Sequence, residues 1–99
     1  MSLELYKVYS GEEFNALTQD TQFVKILNER EIHNRIHYKT GLNRDILPFN
    51  GTGECSEGGL YFTEVSKCHL YEMFGTRMRL VTIPNDAKVY IEENKFKAD

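Results

Sequence analysis

The chain has 99 residues, 40% of them hydrophobic and 27% charged, with 12 Lys and Arg against 15 Asp and Glu for a net charge of −3. That is enough chain for one globular domain, 1–99, and the balance excludes the disordered and membrane-spanning classes. Mild acidity argues against nucleic acid held by bulk electrostatics, since Arg77 and Arg79 alone do not make a basic stripe. Two cysteines, Cys55 and Cys68, are too few for a disulfide-stapled secreted domain and fit no zinc or redox spacing. No leader-like apolar run opens the chain, so the expectation is a protein that is not secreted and has reduced thiols.

In chain order, Leu3–Tyr9 alternates loosely and predicts a strand. Ser10 caps a short helix with Glu13 as its capping-box partner, turning Phe14 and Leu17 inward. Thr18–Thr21 is a polar turn, and Gln22–Leu27 is a second strand. Asn28 is placed to cap one helical turn over Glu29–His33, with Glu31 at its third position and Asn34 ending it. Lys39-Thr40-Gly41 is a turn, and Leu42–Phe49 is an extended connection.

Asn50–Glu54 is the most flexible composition in the chain; with Gly58-Gly59 it carries four glycines in nine residues. Those last two glycines feed a strand, Leu60–Thr63, and permit backbone angles, or a close backbone approach, that a side chain would block. Thr63 or Ser66 then caps the principal helix, which runs to a C-terminal Gly75 and is expected to lie deep against the sheet. Met78–Ile83 is the best strand signal, with Met78, Leu80 and Thr82 on one face. Pro84-Asn85-Asp86 turns it toward a hairpin-like partner at Lys88–Glu92. Asn94–Asp99 reads as a polar tail in which only Phe96 has reason to pack. The fold class is α+β: a small mixed or antiparallel sheet of about five or six short strands with one principal helix packed on it.

Few residue sets carry chemistry. His33 and His37 stand four apart, but their spacing to Cys55, Cys68 and His69 matches no metal finger. Cys55 lies in a loop flanked by Glu54 and Glu57, with no histidine beside it in sequence to serve as its base. The glycines of the 51–59 loop lack the order of a phosphate-binding loop. The residues themselves thus imply no cofactor, no metal and no catalytic set.

Two resemblances add to this. The run GGLYFTEVSKCHLY resembles the second motif block of ADP-ribosyltransferases, where a G-x-Y-F strand precedes a Ser-capped helix. By that resemblance Tyr61 would stack on nicotinamide, His37 would hold the ribose, and Glu92 or Glu93 would be the acidic residue. Tyr38 stands where that family carries a glycine after the histidine. A broader likeness runs from about Val24 to Asp99, through Tyr38–Asn43, Leu47–Asn50, Gly53–Cys55, Gly58–Thr63, Val81–Pro84, Ala87–Tyr90 and Lys95–Asp99. These ordered blocks resemble an uncharacterised domain of giant amoebal DNA viruses. It stands before ankyrin repeats in Mimivirus-type proteins and alone in Marseillevirus-group ones. That resemblance implies a viral protein of the virion or infected host cell, and no chemistry. Two readings follow. One is a non-catalytic interaction module acting as a homodimer, with a host or viral protein as further partner. The other is a diverged ADP-ribosyltransferase-like or nucleotide-binding domain.

Overall fold

The structure is a computed structural model that describes residues 3–34 and 36–99. It is mostly sheet, in an α+β arrangement as expected. Strands β1 (Val8–Ser10), β2 (Phe23–Leu27), β5 (Leu60–Glu64), β6 (Arg77–Val81), β7 (Lys88–Ile91) and β8 (Phe96–Ala98) form one sheet in the order β1-β7-β8-β5-β2-β6. Every neighbouring pair is antiparallel. A separate hairpin joins β3 (Ile32–His33) to β4 (Ile36–His37).

The helix that closes the core is the short one, α1 (Gly11–Leu17). Its capping box is complete: the Ser10 hydroxyl accepts from the Glu13 amide at 3.1 Å, and the Ser10 amide donates back to the Glu13 carboxylate at 3.3 Å. That pins the helix start and aims Phe14, fully buried, at the sheet. Phe14, Phe23, Phe62 and Phe96 come from one helix and three strands, yet all six ring pairs lie 5.0–6.0 Å apart. Mostly tilted or edge-to-face, these contacts are the preferred aromatic geometry and fix how the strands sit. Leu17, expected inward, is instead exposed, because seven residues make under two turns and only one position reaches the rings.

Four expectations are corrected. Val65–Phe74 is a helix, but a 3-10 one with a non-helical break at Tyr71 and no buried residue, so it rests on β2 and β5 without entering the core. Its start at Glu64 has no side-chain cap. Residues 28–34 form a turn and a strand, not a helical turn: the Ile32 amide donates to the Asn28 side chain, and Asn34 turns the chain in the left-handed region at φ 56°. β7 does not pair with β6; it lies between β1 and β8, while β6 pairs with β2 from Phe23↔Val81 to Leu27↔Arg77. The polar tail is a central strand, with Phe96, Lys97 and Ala98 all buried.

Gly58 and Gly59 have the close approaches that their composition predicts. A Cβ on Gly58, at φ 96°, would sit 2.3 Å from the Pro48 carbonyl oxygen, and one on Gly59 would sit 2.5 Å from Lys97 Cγ.

Candidate binding cleft

The site begins where two strands part. β5 holds β2 through only two pairs, Phe23↔Glu64 and Val24↔Thr63, and holds β8 through the preceding three, Leu60 to Phe62. Beyond Thr63 the ladder to β2 stops, which leaves the Tyr61 carbonyl without a strand partner on that side. Lys25, at the middle of β2, supplies one: its amine donates to the Tyr61 carbonyl at 2.6 Å. The same amine lies 2.9 Å from His33 Nδ1 and 4.9 Å from the Tyr38 ring centroid.

A cavity of about 320 Å³ opens at this parting. Tyr61, Phe62, Tyr71 and Phe74 supply rings to its wall, Val24 and Ile26 aliphatic surface, and Lys25, Lys95, His33 and Cys55 polar groups. His33 meets Phe74 edge-on at 5.1 Å, and Tyr71 stacks with Phe74 at 6.3 Å. Lys95 reaches over the Tyr61 ring at 4.3 Å, its amine 2.9 Å from Cys55 Sγ.

The electrostatics are lopsided. Burial pushes the Lys25 amine from its ordinary value down to about 7, and the Lys95 ammonium adds to the effect. Burial lowers His33 to about 4, with Lys25 and Lys95 contributing, so His33 is neutral at physiological pH. The Tyr61 phenol is pushed up by burial first and by the Glu92 carboxylate beside it second, and it stays protonated. The cavity therefore gathers basic side chains, and few acidic ones, in a chain whose net charge is negative.

The glycine-rich loop expected to be the most flexible stretch is tied across one face of the sheet. Tyr61 and Tyr90 donate from their hydroxyls to the carbonyls of Ser56 and Gly53, at 3.0 and 2.7 Å. The Lys97 amine donates to the Ser56 hydroxyl at 2.8 Å, and Glu92 accepts from the Cys55 amide at 2.9 Å. Glu92 is 4% exposed, and its second oxygen has no hydrogen-bond partner among the described residues. The loop is thus a lid fastened by side chains, not a cradle of free amides.

Of the residues singled out for the transferase resemblance, Tyr61 lines the cavity and Glu92 lies beside its phenol, beneath the loop. His37 is exposed on β4 and does not line this cavity. His33 does, and adjacent strand positions turn the two histidines to opposite faces of their hairpin. Among the described residues no three His, Cys, Asp or Glu side chains gather as a metal site, and no helix is long and apolar enough to cross a membrane. Lys25, Lys95, Tyr71 and Phe74 carried no motif in the sequence. A lysine inside the apolar run QFVKIL was the one available signal.

The fold and cleft define an α+β, mostly antiparallel domain with a ring-lined, cation-rich opening between diverging strands. Over 66 residues the chain is 42% identical to an uncharacterized protein of Acanthamoeba polyphaga mimivirus, covering 65% of this chain and 48% of that protein. Two putative ankyrin repeat proteins of the same virus are 39% identical over 66 residues and 31% over 81. They share 65% and 75% of this chain and 33% and 26% of their own lengths. The chain spans about half the length, or less, of these curated relatives. The likeness to an uncharacterised giant-virus domain, carried by the ordered blocks, is thus found in named Mimivirus proteins. No family model and no solved structure matches the chain.

Proposed function

We propose that this domain is a ligand-binding module of a viral protein that works in the infected host cell, and that it takes a flat, anionic ligand of the nucleotide class. One observation carries the reading: Lys25, Lys95 and four rings converge on a single, largely apolar cavity of about 320 Å³. That size lies at the small end of ligand pockets and suits one ring system with a charged substituent. Burial first, and neighbouring basic groups second, lower Lys25 and His33, and a bound anion would offset both costs of charging them. Tyr61, its phenol held by Ser56, offers a ring fixed in place for stacking. His37 stands away from the cavity and Glu92 is engaged under the loop, which favours binding without group transfer.

Titration calorimetry and thermal shift with ATP, ADP-ribose and NAD test it. Micromolar to millimolar binding that weakens with salt, and weakens at least about tenfold in Lys95→Glu, is expected. No heat and no shift with any of the three at millimolar concentration would overturn the reading.

A homodimer in a protein-interaction role, in the virion or the infected cell, is the second reading. The favouring observation is β6, an edge strand with one neighbour, on which Met78 and Leu80 are 53% and 71% exposed. An exposed apolar edge of this kind is a template for pairing with a second copy.

A further inference from the structure

We propose that Lys25 is a covalent capture site, forming an imine with an aldehyde- or ketone-bearing ligand that enters the cleft. A lysine in the middle of a buried strand is rare unless an acid accompanies it. Lys25 is 6% exposed, and its partners among the described residues are a carbonyl, an imidazole and a ring, none of them an acid. An aliphatic residue would fill that position at lower cost. Lys25 nonetheless borders two cavities. One is the ring-lined cleft; the other, of about 540 Å³, lies against the 38–44 segment and β6.

The amine is set up as a nucleophile. In its neutral form it has two hydrogens: the Tyr61 carbonyl accepts one at 2.6 Å, and His33 Nδ1, in the tautomer protonated on Nε2, accepts the other at 2.9 Å. What remains is the lone pair. Burial first, and the charge of Lys95 second, favour the uncharged amine, while His33 is neutral with its value lowered to about 4 and the Tyr38 and Tyr61 phenols are pushed up by burial. The second cavity is lined by Arg79, which is paired with Glu31, and by Asp86 and Asp99, and Asp45 acts on the Tyr38 phenol; none of these carboxylates touches the Lys25 amine among the described residues. Burial brings the amine to about 7, so near neutrality a large share is free base, where exposed lysines are almost wholly protonated.

The step balances without an oxidant. The Lys25 nitrogen bonds to the carbonyl carbon as the C=O π pair moves to oxygen. The nitrogen sheds a proton, for which His33 Nδ1 is the acceptor at hand. The oxygen takes up that proton to give the carbinolamine, which then loses its hydroxyl as water with the second nitrogen proton while C=N forms, so amine and carbonyl give imine and water.

The proposal does not rest on nucleotide binding, since its readout is a covalent adduct. The folded protein is incubated with benzaldehyde, a flat uncharged aldehyde, and sodium cyanoborohydride at neutral pH, then mapped by peptide mass spectrometry. Lys25 should carry the reduced adduct at least about tenfold ahead of the exposed Lys7, Lys39 and Lys88, and the preference should vanish in denaturant. The labelling rate at Lys25 should reach half its maximum near pH 7. Label spread over the exposed lysines with Lys25 unmodified, or a Lys25 rate that keeps climbing to pH 10 as theirs does, overturns the proposal.

Discussion

Replacing Lys25 with Met tests the electrostatics of the cleft without any ligand. Met keeps an unbranched chain of similar length and removes the charge. The amine falls from its ordinary 10.5 to about 7 through burial, with Lys95 adding to the effect. With the side chain 6% exposed, solvent screens little of this. Each tenfold change in proton affinity corresponds to about 1.4 kcal/mol, so across the window the effect sums to an upper bound of about 5 kcal/mol. The sign follows from proton counting. Between pH 7 and 10.5 the unfolded chain holds a proton on Lys25 that the folded protein has released. Unfolding therefore takes up protons, and stability rises with pH. Below pH 7 the native protein bears the full penalty of a buried ammonium. Urea unfolding of both proteins from pH 6 to 10 reads the effect, and above about pH 7.5, where His33 is neutral folded and unfolded, the other titrating groups cancel in the difference. The wild type should gain on Lys25→Met by up to about 1.4 kcal/mol per pH unit above about pH 7.5. Losing the bonds to Tyr61 and His33 offsets the difference by a roughly constant 1–3 kcal/mol, so the slope decides and not the intercept. A difference independent of pH would refute the reasoning and leave Lys25 an ordinary charged lysine.

Gly58→Ala should destabilise the protein by at least about 2 kcal/mol in urea, from a left-handed φ of 96° and a Cβ 2.3 Å from the Pro48 carbonyl. An unchanged midpoint would show that the chain after Pro48 yields freely. For the β6 edge, light scattering at high concentration should give twice 11.6 kDa, and Leu80→Lys should return the monomer mass. A wild type that stays at 11.6 kDa at every concentration would remove the homodimer.

Much of the scaffold was legible because its signals are local. Ser10 with Glu13, the Gly58-Gly59 entry to β5 and the glycine closing Val65–Phe74 each involve residues within a few positions of one another. The misread segments depend on partners far along the chain. Lys95–Ala98 looks like a charged tail, yet Phe96 belongs to the four-ring cluster and Lys97 is fully buried between Tyr61 and Tyr90, with their ring centroids 5.3 and 5.7 Å from its amine. A lysine can occupy a central strand when its stem packs and its amine finds oxygen, here at Ser56. Nothing within the last six residues announces that oxygen, which lies 41 positions back. The Asn28–Asn34 stretch failed differently: asparagine and glutamate at that spacing suit a helix start and a tight turn equally, and pairing of Ile32 with His37 selected the turn.

The cleft was hidden for the same reason, and its origin explains why its chemistry resides in residues without motifs. It exists because β5 leaves β2 after two pairs while the ring cluster still holds Phe23 and Phe62 at 5.5 Å. The core therefore fixes the strands on one side of the parting and frees them on the other. A strand that parts from its neighbour strands a carbonyl, and a long cationic side chain is a residue able to reach it. Lys25 thus closes a structural gap and brings a nearly neutral amine into an apolar opening in the same move. Structure and reactivity at this position have one cause, so a variant that mends the gap with an uncharged donor, such as Lys25→Gln, separates them. It should keep the β2–β5 junction while losing both the pH slope and the covalent capture.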